Sequence, residues 1–286
     1  MKQLIVTADD FGAALAVNDA VERGHIEGVL TAASLMVGAS AAADAVARTR
    51  RMPKLRVGLH LVLVEGRPMS DPADIPDLVT ADGAFRTDMA RLGAEIFFKV
   101  GARRQLAREI EAQFQAYAAT GLPLDHVNTH KHFHLHPTIT DMIVRIGPRF
   151  GMKAMRTPIE PRAVLVAVEP AASPHSSYVT APWARLGKAR LRRAGIATPD
   201  QVFGLNWSGA MTAGRLAGLI RRLPEGLSEI YLHPATAAAY DGSAPGYRYV
   251  EEFEALIDPN VIAATRAEGL ALGGFSDFAL LGQRTP

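Results

Sequence analysis

The chain has 286 residues, a formal net charge of +2 and no cysteine. The lack of cysteine excludes disulfides and thiolate metal sites, so any metal ion must be bound by His, Asp or Glu. Hydrophobic residues make up 48% and charged residues 21%, which permits a large core, and the small net charge gives no reason to expect a nucleic acid partner.

The amino-terminal segment shows no targeting pattern. Only residues 3–8 form an apolar run before the acidic pair Asp9-Asp10, which is too short for the apolar region of a signal peptide. The longest uncharged stretch, residues 28–43, is shorter than a membrane span. We therefore expect a cytoplasmic protein.

Short apolar runs alternate with segments of helical periodicity along the chain. The predicted strands are residues 3–8, 33–37, 55–63, 124–130, 153–157, 228–233 and 270–274. The predicted helices are residues 16–27, 40–51, 102–119, 137–150, 212–223 and 250–267. Strands separated by such helices indicate a parallel sheet. We predict one α/β domain over residues 1–286, a distorted (β/α) TIM-like barrel of about seven parallel strands, with an open doubly wound sheet as the alternative.

Two segments interrupt this alternation. Residues 64–87 are rich in turn formers, and residues 157–182 contain five prolines, which predict that no long regular helix forms there. We expect long loop insertions near residues 64–87 and 157–195, over the carboxyl-terminal face of the barrel. Loops at this face commonly form lids and substrate walls.

Acidic and histidine side chains recur where predicted strands end. Asp9 and Asp10 follow the first strand, His60 lies late in the third, His130 closes the fourth, and His233 closes the strand at 228–233. Parallel strands end on the same side of the sheet, so these residues are expected to converge.

One carboxylate and two imidazoles form a three-ligand metal site that leaves positions open for water and substrate. One Asp would bind the ion, and the other would take a proton from the activated water. Each residue also has a simpler interpretation. The acidic pair can form a turn and a helix N-cap, and a histidine at a strand end is often solvated or capped.

The segment NTHKHFHLHP places a histidine at every second position from His130 to His136. In an extended strand these side chains would share a face, about 6–7 Å apart, which is too far to bind one ion together. We therefore predict that only His130 is a ligand. His132 and His134 are candidates for contacts with the substrate or with the ligands, His136 is expected to be structural, and a solvated cluster is the alternative.

The motifs TADDFG, GLHLVL, DHVNTHKHFHLHP and YLHP together resemble the YdjC/ChbG family of carbohydrate deacetylases. The resemblance covers most of the chain. It implies a distorted (β/α) barrel, a divalent ion held by one Asp and two His, and hydrolysis of an N-acetyl group on an amino sugar.

The resemblance also implies roles for individual residues. The metal ligands would be Asp10, His60 and His130. Asp9 would be the general base and His233 the general acid, with Arg156 as a positioning residue. Two imidazoles and a carboxylate suit Zn²⁺ best, with Mg²⁺, Mn²⁺ or Co²⁺ as alternatives.

The segments TAASLMVGA and VGLHLVLVEGRP resemble the hopanoid-biosynthesis-associated branch of this family. That resemblance implies an N-acetylglucosaminyl group on a polycyclic triterpenoid lipid as the substrate. The alternatives are a deacetylase of soluble chito-oligosaccharides, a non-haem iron oxygenase with a two-His, one-carboxylate site, and a glycolipid-binding protein without turnover.

Residues 183–193 combine five basic side chains with Trp183, Leu186 and Leu191. This pattern is typical of an interfacial helix on an anionic membrane, which would suit a lipid-borne substrate at the inner membrane face. A solvated basic helix is the alternative. The sequence leaves the oligomeric state open, a homodimer included.

Overall fold

The computed structural model describes residues 2–171 and 175–279. Within these ranges, residues 175–180 and 279 are described as helical backbone only. The strands are β1 Lys2–Phe11, β2 Ala32–Leu35, β3 Arg56–Leu61, β4 Val127–Thr129, β5 Gln201–Phe203, β6 Gly226–Leu232 and β7 Ala271–Leu272. The helices are α1 Leu15–Glu27, α2 Ala42–Thr49, α3 Met89–Phe98, α4 Val100–Ala119, α5 Pro137–Ile146, α6 Arg162–Val168, α7 His175–Arg193, α8 Ala213–Ile220, α9 Tyr249–Ile257, α10 Pro259–Ala267 and α11 Phe275–Ala279.

All strand pairings within the sheet are parallel. The order is β4-β3-β2-β1-β6-β5, and β7 pairs with the first residues of β1. Residues 153–159 approach both edges: the Arg156 amide donates to the Val127 carbonyl beside β4, and the Val202 amide in β5 donates to the Ile159 carbonyl. The sheet therefore curls into a distorted α/β barrel, which confirms the predicted TIM-like fold.

Alternating residues of the central strand face two different environments. Leu4, Val6 and Ala8 of β1 pack into the large core between the sheet and the helices. Ile5 points the other way, into a small cluster with Phe275 and Phe278 of α11 that closes the amino-terminal end of the barrel. Beyond this apolar end, the barrel interior is polar up to the carboxyl ends of the strands.

Several predicted boundaries need correction. The predicted helix at 250–267 is two helices, because Pro259 starts α10 and the Asp258 side chain caps it by accepting the amides of Asn260 and Val261. The predicted strand at 153–157 forms only isolated bridges to Val127 and Ala197 in the described chain. The sequence analysis missed α3 and the short strand β5.

The segment predicted as a loop over residues 157–195 contains α6 and α7, so the expectation that its prolines prevent a long helix is wrong. Pro182 lies inside the 19-residue helix α7, where it removes one helical hydrogen bond. Ala184 and Leu191 on the same helix are buried, and this packing offsets the lost bond. Pro174 lies outside the described residues. Residues 64–87 hold a 3₁₀ turn at Pro72–Asp74 and a bridge between Val79 and Phe85.

We predict that Gly58→Ala destabilises the fold by about 1–3 kcal/mol, because the barrel interior has no space for a methyl group beside Gly58. A Cβ on Gly58 would lie 2.5 Å from both Nδ1 and the carbonyl oxygen of His126. Urea unfolding measures the change. Gly214→Ala in α8 is the control, since a Cβ there meets nothing within 4 Å. Equal stability of the two variants would contradict this packing argument.

Candidate metal centre and active site

Asp9 and Asp10 are sequence neighbours in β1, yet both carboxylates are buried at the carboxyl end of the barrel. In a regular strand neighbouring side chains point to opposite faces. Here Asp10 has φ of 61°, and the pairing of β1 with β2 shifts register between Ala8 and Phe11. This left-handed conformation, which costs on the order of 1–3 kcal/mol for a non-glycine residue, lets both side chains serve one site.

Asp10, His60 and His130 meet as the sequence predicts. Asp10 Oδ1 lies 3.2 Å from His60 Nε2 and 3.3 Å from His130 Nδ1. One donor atom from each residue lies within 4.8 Å of the other two. Asp10 Oδ1 and His60 Nε2 are buried and have no hydrogen-bond partner among the described residues. Buried, unpaired acceptor atoms that converge in this way fit a divalent cation.

The protonation of His60 is consistent with this role. His60 Nδ1 lies 2.7 Å from Asn128 Oδ1, which can only accept a hydrogen bond, so Nδ1 carries the proton and Nε2 offers its lone pair to the site. Burial lowers the pKa of His60, but Asp10 and Asp9 raise it more, and the pKa lies above its usual value. The site therefore attracts positive charge.

Asp9 is held by a buried arginine. Arg156 donates to Asp9 Oδ2 at 2.5 Å and to Oδ1 at 3.0 Å, and its other edge donates to Glu229 at 2.7–3.0 Å. Thr7 donates to Glu229 at 2.8 Å, and the guanidinium lies over the Tyr231 ring, 4.5 Å from its centroid. Burial raises the pKa of Asp9, but Arg156 and His60 lower it more, so Asp9 is ionised.

The histidine-rich segment is not an extended strand. It forms a 3₁₀ turn over His130–Leu135, with Lys131 and His132 in the left-handed region, so the expectation that its histidines share one face is wrong. His132 Nε2 lies 2.8 Å from the Tyr231 hydroxyl, and His134 Nδ1 lies 2.7 Å from Thr129 Oγ1. Burial and Arg156 lower the pKa of His134 to about 3, so it is neutral.

His233 follows β6 and lies on the same side of the barrel. Its ring packs against Tyr231 and Tyr247, with ring centroids 5.7 and 5.2 Å apart. Its backbone amide donates to the buried Glu252 at 2.5 Å, and its Nδ1 lies 4.0 Å from the same carboxylate. His233 is near enough to Asp9 to contribute to the lowered pKa of that carboxyl group.

Three residues of this arrangement escaped the sequence analysis: Asn128, Glu229 and Tyr231. The signal for them is strand alternation, since Asn128 lies two positions before His130, and Glu229 and Tyr231 lie four and two positions before His233. Residues at this spacing face the same side of a strand, which here is the barrel interior.

An apolar groove of about 630 Å³ lies against the turn that follows His130. Its walls come from α3, from the 3₁₀ turn after β4, and from α7, and they include His132 and Lys131 next to His130. Three of the groove's aromatic side chains are at least half exposed: Phe97, Phe98 and Trp183.

The basic segment at 183–193 is part of α7. Lys188 donates to the carbonyls of Pro199 and Asp200, and Arg190 donates to the Pro137 carbonyl and pairs with Asp141. Fewer cations are therefore free for a membrane surface than the sequence pattern indicates. Among residues 2–171 and 175–279, the helices lack the length or the apolar character that a membrane span requires. The cytoplasmic location stays a prediction.

Residues 3–267 match the family described as YdjC-like protein. The chain belongs to the YdjC-like family. A relative from Geobacillus stearothermophilus, named carbohydrate deacetylase, is 32% identical over 278 residues, which cover 96% of this chain and 97% of the relative. A carbohydrate deacetylase of Thermoanaerobacter pseudethanolicus is 25% identical over 280 residues, covering 96% and 99% of the two chains.

The fold of this YdjC-like chain also occurs in a solved structure. A crystal structure from Enterococcus faecalis, provisionally described as a cellobiose-phosphate cleavage protein, superposes with a TM-score of 0.76 at 22% identity, covering 97% of this chain and 98% of that one. The predicted family is thus confirmed, and the predicted amide-hydrolase class agrees with the names of the relatives. The hopanoid-associated branch stays a prediction.

We predict that Arg156→Met lowers the free energy of unfolding by about 3–5 kcal/mol, because it leaves the buried carboxylates of Asp9 and Glu229 without their cation. Chemical denaturation measures the loss. Arg108→Met is the control, since Arg108 pairs with Asp74 while both side chains are more than half exposed, and such pairs contribute about 0–1 kcal/mol. A loss at Arg156 no larger than that at Arg108 would contradict the prediction.

Proposed function

We propose that the protein is a metal-dependent carbohydrate N-deacetylase that removes the acetyl group from an N-acetylglucosamine-type sugar. The observation that carries the proposal is the convergence of Asp10, His60 and His130 beside the ionised Asp9. The carbohydrate deacetylases among its YdjC-like relatives support it.

Asp10, His60 and His130 would hold the ion, with Zn²⁺ preferred by these ligands and Mg²⁺, Mn²⁺ or Co²⁺ as alternatives. When bound, such an ion supplies Lewis acidity, which polarises a carbonyl group and makes water more acidic. An amide needs this help because it is a poor electrophile with a poor leaving group.

Asp9 would act as the general base. Its Oδ1 accepts hydrogen bonds from Arg156 and Asn128, whereas Oδ2 accepts from Arg156 and keeps a lone pair for a proton. Arg156 makes Asp9 a weak base, so Asp9 takes a proton efficiently only from water that is already acidified. Arg156 would also fix the direction in which the carboxylate points.

His233 would act as the general acid that protonates the departing amine. Glu252 lies 4.0 Å from His233 Nδ1, and it also accepts the His233 backbone amide, so it would hold the ring in place. His132 and His134 lie in the turn that carries His130, where they would orient the turn and line the sugar site. Separate acid and base residues suit a reaction that takes one proton and donates another.

The groove beside the metal centre supports a hydrophobic aglycone on the sugar. It continues from His132 to the exposed rings of Phe97 and Trp183, and its volume of about 630 Å³ is typical of small-molecule sites. We therefore propose an N-acetylglucosaminyl lipid of the polycyclic triterpenoid type as the substrate. A soluble chito-oligosaccharide, which would stack a sugar ring on the same aromatic side chains, is the alternative occupant.

We predict that purified protein releases acetate from an N-acetylglucosaminyl substrate and that chelation abolishes the reaction. Re-addition of Zn²⁺, Co²⁺ or Mn²⁺ should restore it. Asp9→Asn should reduce kcat by at least about 100-fold, because the amide cannot take the proton. Acetate assay with metal analysis of each preparation measures both effects.

The same assay separates the alternatives. Full activity of the metal-free protein would contradict the proposed mechanism. Turnover that requires Fe(II) and oxygen would indicate an oxygenase, and tight glycolipid binding by the metal-loaded protein without acetate release would indicate a binding protein.

We predict that Phe97→Ala combined with Trp183→Ala raises KM for the lipid-linked substrate at least about 10-fold, because two aromatic walls of the groove are lost. The KM for N,N′-diacetylchitobiose should stay within about twofold, since the proposal assigns the groove to the lipid and not to the sugar. Ile26→Ala on α1, which removes another large, more than half exposed apolar side chain away from the groove, is the control. Equal changes for both substrates would contradict a lipid-binding groove.

A further inference from the structure

A chain of hydrogen bonds runs through the barrel interior from the metal centre to its amino-terminal end. His60 Nδ1 lies 2.7 Å from Asn128 Oδ1, and Asn128 Nδ2 lies 2.8 Å from Ser34 Oγ. Ser34 Oγ lies 3.0 Å from His126 Nε2, and His126 Nδ1 lies 2.9 Å from Asp125 Oδ2. All five side chains are buried.

Donor and acceptor chemistry gives every bond in this chain the same direction. Asn128 Nδ2 can only donate, so the Ser34 hydroxyl accepts from it and directs its own proton to His126 Nε2. Because His126 Nε2 accepts from Ser34, the ring carries its proton on Nδ1 and donates it to Asp125. At the opposite end, Asn128 Oδ1 can only accept, so His60 donates from Nδ1. Each group thus donates toward Asp125.

Asp125, at the far end of this hydrogen-bond chain, is charged and is held in place by several hydrogen bonds. Burial raises the pKa of Asp125, but His126 and Ser276 lower it more, so the carboxyl group is ionised. Asp125 accepts the backbone amides of Phe275 and Ser276 at 3.1 and 2.8 Å, and the Ser276 hydroxyl at 2.5 Å. The Phe275 ring stacks on His126 with a centroid distance of 4.3 Å.

We propose that Ser34, His126 and Asp125 are positioning residues that act on the metal centre through Asn128. Together with the bond from Asn128 Nδ2 to Asp9 Oδ1 at 3.1 Å, the bond to Ser34 holds the Asn128 amide in one orientation, which favours the His60 tautomer with its Nε2 lone pair in the site. The hydrogen-bond chain also ends in a negative charge, which makes His60 Nε2 a better donor to a cation. The start of α11 thereby supports metal binding from the opposite end of the barrel. This inference rests on the metal centre of the proposed function.

The test compares two substitutions of the same kind. Ser34→Ala removes the middle member of the hydrogen-bond chain. Ser228→Ala is the matched control, because Ser228 is also a fully buried strand serine, but it bonds Gln201 at 2.8 Å outside the chain. The dissociation constant for Zn²⁺ is measured by chelator competition, and the His60 tautomer in metal-free protein is measured by ¹⁵N NMR.

We expect Ser34→Ala to raise the Zn²⁺ dissociation constant about 10-fold and to shift His60 toward a mixture of tautomers. Ser228→Ala should change neither quantity, even where it lowers thermal stability. Asp125→Asn, which keeps the shape but removes the charge, should raise the dissociation constant as well, and it replaces Ser34→Ala should that variant fail to fold.

Two results would overturn the proposal. The first is wild-type Zn²⁺ affinity in Ser34→Ala or Asp125→Asn, with His60 in a single unchanged tautomer. The second is an equal loss of Zn²⁺ affinity in Ser34→Ala and Ser228→Ala. Failure of the proposed function looks different. A wild-type protein that binds no divalent ion would contradict the deacetylase proposal, whereas the tautomer measurement would still decide whether the chain orients His60.

Discussion

The site depends on one buried guanidinium placed between two buried carboxylates. Arg156 has no exposed surface and donates to both Asp9 and Glu229. Among the described residues that contact Arg156 or form the candidate metal site, the three carboxylates of Asp9, Asp10 and Glu229 face this one guanidinium, which leaves two formal negative charges when the histidines are neutral. Uncompensated charge in a low dielectric is costly, so the interior favours a divalent ion beside Asp10.

The barrel makes this arrangement possible because its strands alternate. Apolar side chains of β1 pack against the helices, and Thr7 and Asp9 face the interior, where polar side chains of neighbouring strands bond each other. The strained conformation of Asp10 departs from this alternation, and it occurs where two adjacent carboxylates must serve one site. Strain at a residue that binds a ligand is a common feature of functional sites.

Two chemically different surfaces meet at the turn after β4. His130 in this turn faces Asp10 in the charged pocket, whereas Phe133 and Leu135 of the same turn line the apolar groove. His132 lies between them and bonds Tyr231, whose ring packs on Arg156. Such a turn suits a substrate with a polar, reacting end and an apolar end, because a single rigid element would position both.

The sequence by itself determined the parallel α/β architecture and pointed to Asp10, His60 and His130 as candidate metal ligands, because strand ends and motif residues are local features of the chain. It did not determine α7, since proline content describes backbone preference and not the packing of Ala184 and Leu191 that offsets it. Only the tertiary structure decided that the histidine-rich segment turns, that Arg156 joins Asp9 to Glu229, and that Asp125 is linked to His60. These contacts join residues far apart in the chain, and no local pattern specifies which distant side chains will meet.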